Sequence, residues 1–140
     1  GAVLRGMADV LEIAIGEKCR LAFEIAGDLP TVLIDTALFE QSILNLCLNA
    51  AAAMPAGGTI LIRCSRSEAG VSVSVTDDGI GMTTEAVDKA FEPYFTTRDA
   101  EGGVGLGLAV VYGFVRQSGG DARIASVPGK GTVVELLFPA

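Results

Sequence analysis

Histidine and tryptophan are absent from this 140-residue sequence, and its three cysteines are scattered without a CxxC pair. Zinc sites rely mainly on histidine and on closely spaced cysteines, so the sequence argues against a zinc site. An odd number of cysteines without a pairing pattern is typical of free thiols in a reducing compartment. We therefore expect a cytoplasmic location for this chain, whether or not it belongs to a larger protein that is anchored in a membrane.

Basic residues are also scarce, with ten Lys and Arg against seventeen Asp and Glu and a net charge of −7. Nucleic acids and anionic membranes attract basic surfaces, so neither is expected as a partner. Long apolar runs are missing too. The longest candidate, GLGLAVVYGFV, has eleven residues and is interrupted by glycine, whereas a membrane-spanning helix needs about 20. No direct membrane contact is expected from this chain.

Half of the residues are apolar, which is enough for the packed core of one domain. Period-two alternation predicts strands at 20–25, 31–35, 59–66, 71–77, 121–127 and 132–138. Helical spacing and capping signals predict helices at 3–16, from Asp35 or Thr36 to about Pro55, from Thr83 or Thr84 to Phe91, and at 106–117. Residues 92–105 lack periodicity and are expected to form a long loop, which in a compact domain is usually functional or disordered.

Two asparagines, Asn45 and Asn49, lie four residues apart on the long helix, so both amides project from one helix face. Asparagine is a mediocre helix former, and the simplest interpretation of the pair is a solvated polar face. Such a face normally carries Lys and Glu, however, and this helix has no Lys. An amide oxygen is a suitable ligand for Mg²⁺ where phosphates supply the other ligands, and unlike a carboxylate it does not repel them.

Four further segments carry possible chemistry, although each alone has an ordinary structural explanation. DDGIGM (77–82) is either a simple turn or a place where one fixed carboxylate and two glycines receive a flat ligand. GGVGLGL (102–108) is either a flexible loop or a phosphate site at a helix N-terminus, and it is neither a Walker A nor a dinucleotide motif. FEPYFTTR (91–98) and GKGT (129–132) alone indicate a helix end and a hairpin turn.

In their order and spacing, these segments resemble the nucleotide-binding boxes of the histidine-kinase and gyrase-type ATPase superfamily. The matching motifs are Asn45/Asn49, Asp77-x-Gly79-x-Gly81, Phe91-x-Pro93, Gly103-x-Gly105-x-Gly107 and Gly131-Thr132. The resemblance runs from about residue 20 to 139. It implies an α+β fold of the Bergerat type, a two-layer α/β sandwich in which a mixed, about five-stranded sheet packs on three helices.

The resemblance also implies a role for each matching residue. Asn49 would be the Mg²⁺ ligand, Asp77 would hold the adenine amino group, and Arg98 would act near the γ-phosphate. Arg98 and Asn45 would be the two catalytic residues. The other implied nucleotide-binding positions are Ala53, Gly79, Gly81, Met82, Phe95, Thr97, Gly103, Val104, Gly105, Leu106, Gly107, Leu108 and Thr132.

Asn45 distinguishes the branches of the superfamily. Its ATP-hydrolysing members typically carry a glutamate there as general base, which an asparagine cannot replace near pH 7. Sensor histidine kinases carry asparagine at that position. The resemblance thus implies a bacterial two-component sensor kinase that binds Mg-ATP and transfers the γ-phosphoryl group to a histidine. Two alternatives stay open: a gyrase-type ATP-hydrolysing module and a nucleotide-sensing regulatory domain without transfer activity.

The missing histidine limits what this chain can do. The acceptor histidine of a sensor kinase lies on a separate dimerisation domain of the same parent protein, from which a response-regulator receiver domain takes the phosphoryl group. We therefore expect residues 1–16 to be a helical stub leading from that absent domain. Residues 17–140 would be the catalytic domain, with a nucleotide lid at about 92–105, and no autophosphorylation is expected from this chain alone.

Overall fold

The computed structural model describes the backbone of residues 2–81 and 104–140 and the side chains of residues 3–81 and 108–140. Within these ranges the chain forms four helices and five strands. The helices are α1 (Ala2–Gly6), α2 (Ala8–Ile15), α3 (Thr36–Ala52) and α4 (Val104–Gln117). The strands are β1 (Cys19–Ile25), β2 (Gly58–Arg66), β3 (Gly70–Asp77), β4 (Asp121–Val127) and β5 (Gly131–Pro139).

The five strands form one sheet in the order β1-β2-β3-β5-β4. β1 pairs with β2 in parallel, and the other three pairs are antiparallel. The predicted mixed, five-stranded sheet and the α+β fold are thereby confirmed.

The helices cover one face of this sheet. On β2, β3 and β5 the alternate residues that face them are buried and apolar, namely Ile60, Ile62, Cys64, Val71, Val73, Val75, Val134, Leu136 and Phe138. The ring of Phe138 lies 5.9 Å from that of Phe39 on α3 and 5.9 Å from that of Phe114 on α4. The opposite face is mostly polar and includes an ion pair between Arg63 Nε and Glu24 Oε2 at 2.7 Å. One-sided burial explains the strict Val–Ser alternation of β3.

The predicted strand at 31–35 is wrong, because these residues form neither strand nor helix. Val32 and Ile34 do pack against the core, while Thr31, Leu33 and Asp35 are exposed. The alternation therefore reflects one-sided burial of a segment that pairs with no strand among the described residues. Periodicity indicates which side chains are buried, but it does not indicate whether the segment pairs with a strand.

The predicted helix at 3–16 is divided at Met7, whose N–H group donates to the Leu4 carbonyl at 3.1 Å in a tight turn. The side chains of Leu4, Met7, Leu11 and Ile15 are buried in the core. This N-terminal segment is thus packed against the rest of the domain.

Helix α4 begins at Val104, two residues before its predicted start, so the predicted loop at 92–105 is wrong at its last two residues. The helix predicted near 83–91 and the rest of that loop lie outside the described residues. Within residues 2–81 and 104–140, no helix is both long enough and apolar enough to cross a membrane.

Candidate functional site

Helix α3 fixes the positions of Asn45 and Asn49. The helix begins after Asp35, whose Oδ1 accepts the N–H of Leu38 at 3.0 Å and caps the first turn. Its buried stripe consists of Phe39, Ser42, Ile43, Leu46, Cys47 and Ala50. Both asparagines flank this stripe and are half-buried. The pair is therefore not part of the fully exposed face of the helix.

The Asn49 amide carries an unusual feature. Its Nδ2 atom is inaccessible to solvent and has no hydrogen-bond partner in the part of the chain that the structure describes. Leaving a buried amide donor without a partner costs about 1–3 kcal/mol, so such groups are rare. Rotating the Asn49 amide group by 180° exchanges Nδ2 with Oδ1. The side chain can therefore present either an N–H donor to a phosphate or an oxygen to a cation.

Asp77 ends strand β3 and is 8% exposed. Its Oδ1 atom accepts the N–H of Gly79 at 2.9 Å. Burial raises the pKa of Asp77 above its ordinary value, the N–H groups of Gly79 and Thr132 lower it, and the neighbouring Asp78 charge raises it. The net effect is a raised pKa, which means that the ionised carboxylate lowers the stability of the folded state.

The loop after Asp77 lies against the C-terminal end of α3. The N–H of Ile80 donates to the Ala53 carbonyl at 3.0 Å. A Cβ atom on Gly79 would lie 2.4 Å from that carbonyl oxygen. Because Ala53 follows Asn49 by one helical turn, this contact brings the Asp77 loop to the turn of α3 that carries Asn49.

The turn between β4 and β5 closes the other side of this loop. Gly81 has φ +70°, and a Cβ there would lie 2.1 Å from the Val127 carbonyl oxygen. The N–H of Gly129 donates to the Ile80 carbonyl at 2.6 Å. Gly79 and Gly81 thus each have a packing reason to be glycine, and their contact with a flat ligand stays a prediction.

Thr132 and Ser126 extend the site across the sheet. Thr132 on β5 is the register partner of Asp77 on β3 and of Ser126 on β4. Ser126 Oγ lies 2.8 Å from Thr132 Oγ1 and donates to the Gly131 carbonyl at 2.9 Å. Ser126 is not among the site residues predicted from the sequence. Extending the predicted PGKG hairpin backwards by register would have placed it opposite Thr132.

The structure brings together Asn49, Ala53, Asp77, Gly79 and Gly81 at one end of the sheet, and Thr132 joins them. Five of the predicted site residues, namely Met82, Phe95, Thr97, Arg98 and Gly103, lie outside the described residues. Val104, Gly105, Leu106 and Gly107 form the first turn of α4, as expected for a glycine-rich segment that opens a helix. The Leu108 side chain is buried in the core.

The described residues supply few ligands for a metal ion at this site. Residues 2–81 and 104–140 contain no group of three or more His, Cys, Asp or Glu side chains that could hold a metal ion. Within these ranges, the Asn49 amide is a candidate ligand whose Nδ2 atom has no hydrogen-bond partner. This donor set fits Mg²⁺ carried by phosphates, because Mg²⁺ commonly binds through few protein ligands plus phosphate oxygens and water.

Comparison with known proteins places the chain in a family. Residues 34–140 match the family described as histidine kinase-, DNA gyrase B-, and HSP90-like ATPase. The chain is 43% identical over 130 residues to the sensor histidine kinase ZraS of Escherichia coli strain K12, an alignment that covers 93% of this chain and 28% of that protein. It is 35% identical over 152 residues to the sensor kinase CckA of Brucella abortus strain 2308, covering 98% of this chain and 16% of that protein.

Solved structures give the same result. The structure of full-length ShkA in complex with AMPPNP superposes with a TM-score of 0.83 and 30% identity, covering 99% of this chain and 30% of that chain. The nucleotide-free catalytic domain of histidine kinase ThkA superposes with a TM-score of 0.77 and 26% identity, covering 99% of this chain and 89% of that chain. The chain therefore belongs to the family of histidine kinase-, DNA gyrase B- and HSP90-like ATPases, and the curated relatives that it matches are sensor kinases.

Proposed function

We propose that this domain binds Mg-ATP along helix α3 and transfers the γ-phosphoryl group to a histidine on a separate dimerisation domain of its parent protein. The observation that carries the proposal is the buried Asn49 amide, whose Nδ2 has no partner within the described residues. A phosphate oxygen or a phosphate-bound Mg²⁺ would supply the missing partner. That the bound phosphates belong to ATP is inferred from the family to which the chain belongs.

The adenine end of the site is the Asp77 carboxylate. An ionised carboxylate only accepts hydrogen bonds, which suits the amino group of adenine. Because Asp77 is 8% exposed, that bond would form with little competition from water. Gly79, Gly81, Met82 and Thr132 are proposed to line the base.

The phosphate end lies further back along α3. A helix rises about 1.5 Å per residue, so Asn49 and Asn45 lie about 6 Å and 12 Å from Ala53 along the axis. The triphosphate is proposed to follow this direction away from Asp77. Asn49 would hold Mg²⁺, which when bound neutralises charge on the phosphates. Asn45 would contact the phosphates without activating water, because an amide is no base near pH 7.

The other proposed phosphate contacts come from the segment that leads into α4. Backbone N–H groups in the first turn of a helix have no partner within the helix and favour anions. Those of Gly103, Val104, Gly105, Leu106, Gly107 and Leu108 are proposed to approach the phosphates. Phe95, Thr97 and Arg98 are proposed to belong to the lid, with Arg98 beside the γ-phosphate as a catalytic residue.

Replacing Asn49 by alanine tests the metal site. We expect Asn49→Ala to weaken ATP binding by about tenfold or more in Mg²⁺, the effect of losing a bond to a charged partner, and to change it little in EDTA. Calorimetric titration under both conditions measures this difference. Gln41→Ala, an exposed change on the same helix, is the matched control and should leave both constants unchanged. An equal loss with and without Mg²⁺ would show that Asn49 contacts phosphate directly or only supports the helix.

Phosphoryl transfer is tested with ATP labelled on its γ-phosphate. Because the chain has no histidine, we expect no label on it and very slow hydrolysis when it is alone. Adding the histidine-bearing domain of the parent protein as a separate polypeptide should produce acid-labile label on that domain. Turnover on the order of 1 s⁻¹ without the acceptor, as is common for enzymes, would instead indicate a hydrolase.

The proposal also assigns the surroundings of the domain. Residues 1–16 would lead from the dimerisation domain, and residues 17–140 would be the catalytic unit. A response-regulator receiver domain would take the phosphoryl group from the acceptor histidine, in the cytoplasm.

A further inference from the structure

We propose that Ser126 is a positioning residue that fixes the direction of the Thr132 hydroxyl proton and thereby helps the site to prefer a 6-amino purine over a 6-oxo purine. This inference rests on the proposed function, since it assumes that the base lies against Asp77 and Thr132. Ser126 itself would not touch the nucleotide.

The three side chains form one row across the sheet. Ser126, Thr132 and Asp77 are register partners on the adjacent strands β4, β5 and β3. Directly paired residues point to the same face of a sheet. On β3 that face is the buried one, which Val75 and Asp77 share. The row therefore lies on the side of the sheet that the helices cover.

The number of protons in the row determines the direction of its hydrogen bonds. A serine hydroxyl has one proton to donate. Ser126 Oγ lies 2.9 Å from the Gly131 carbonyl oxygen, which only accepts, so this bond takes the Ser126 proton. Ser126 Oγ is also 2.8 Å from Thr132 Oγ1. In that second bond Thr132 must be the donor, and its oxygen then has only lone pairs to offer elsewhere.

This arrangement has a consequence for the base. Asp77 and Thr132 would both present acceptors to it. The amino group of adenine donates two hydrogens and matches them, whereas the carbonyl oxygen of hypoxanthine or guanine faces lone pairs on both sides. Sites built in this way reject an analogue because buried polar groups are left opposed or without a partner.

Removing the Ser126 hydroxyl is expected to relax this preference. In Ser126→Ala the Thr132 proton is no longer directed to Ser126 and can turn towards a purine carbonyl oxygen. Dissociation constants would be measured in Mg²⁺ for ATP, for inosine triphosphate and for purine riboside triphosphate, which carries only hydrogen at position 6. We expect the ratio of the inosine to the adenine constant to fall about three- to tenfold, the worth of one neutral hydrogen bond. The purine riboside constant should not change.

Two further variants separate positioning from general support. Ser126→Thr keeps the hydroxyl and should keep the wild-type ratio. Ser74→Ala removes a half-buried serine of strand β3 from the opposite face of the sheet and should also keep the wild-type ratio. If Ser126→Ala merely loosens the hairpin, the unfolded fraction lowers all three affinities by the same factor and the ratio does not move. An unchanged ratio would thus overturn the role of Ser126, whereas a wild-type domain that fails to bind ATP would overturn the proposed function itself.

Discussion

Asp77→Asn is expected to weaken ATP binding by about ten- to a hundredfold, the effect of losing a hydrogen bond to a charged acceptor. The amide of asparagine can also rotate and donate its NH₂ group to the carbonyl oxygen of guanine. Discrimination between ATP and GTP should therefore shrink in the variant. The measurement is a pair of dissociation constants, for ATP and GTP, in each protein. If both stayed at their wild-type values, Asp77 would not be the adenine contact.

Stability measurements provide the control for this variant. Burial raises the pKa of Asp77 above 3.8, so the folded state binds the proton more tightly than the unfolded state. The ionised carboxylate then lowers stability above the raised pKa, and this cost disappears as the pH falls through that pKa towards 3.8. Apo Asp77→Asn should be at least as stable as wild type at pH 7, by a margin that shrinks on acidification. A lower denaturation midpoint at pH 7 would mean that Asp77 is mainly structural.

Asp78→Asn is the matched control for the affinity measurements on Asp77→Asn. Asp78 is exposed, and its charge is one of the causes that raise the pKa of Asp77. Removing that charge should lower the pKa of Asp77. It should leave the preference for ATP over GTP intact.

Gly131→Ala is expected to destabilise the domain by about 3 kcal/mol or more, the combined effect of a strained backbone and a steric clash. Gly131 has φ +111°, and a Cβ there would lie 2.1 Å from the Asp77 carbonyl oxygen and 2.9 Å from the Asp78 Cα. Both are backbone atoms, so no side chain can rotate away to relieve the clash. Urea unfolding of the apo protein measures the loss.

Gly129 provides the comparison within the same turn. It also has a positive φ, +79°, but a Cβ there would lie more than 4 Å from every described residue other than Gly129 itself and its two chain neighbours. Gly129→Ala should therefore show only the conformational cost, about 1–2 kcal/mol. Equal losses of stability in the two variants would show that β5 does not approach the Asp77 backbone closely enough for a Cβ on residue 131 to clash with it.

Much of the fold could be predicted because local signals coincide with tertiary ones. Asp35 caps α3 in the structure as its sequence position predicts. The alternation in β3 and the hairpin of β4 and β5 are both observed. In these places side-chain period, turn residues and burial all favour the same structure.

The failures have a common physical origin in contacts between distant segments. Residues 31–35 alternate like a strand but pair with no strand in the part of the chain that the structure describes. The sequence suggested that Gly79 and Gly81 make room for a ligand, whereas the structure also shows the Ala53 and Val127 carbonyls in that space. Neither contact follows from periodicity. Ser126 was missed for the same reason, because its importance lies in a cross-strand pair and in the direction of one proton.

Selective labelling of asparagine tests most directly whether ATP binds with its Mg²⁺ at Asn49. The sequence contains only two asparagines, Asn45 and Asn49, so ¹⁵N-asparagine labelling gives two side-chain amide signals, which Asn49→Ala assigns. We predict that titration with Mg-ATP shifts the Asn49 amide saturably at one nucleotide per chain, and that EDTA then moves this signal again. An Asn49 amide signal that stays at its apo position when the nucleotide is bound would show that neither the nucleotide nor its Mg²⁺ binds at Asn49.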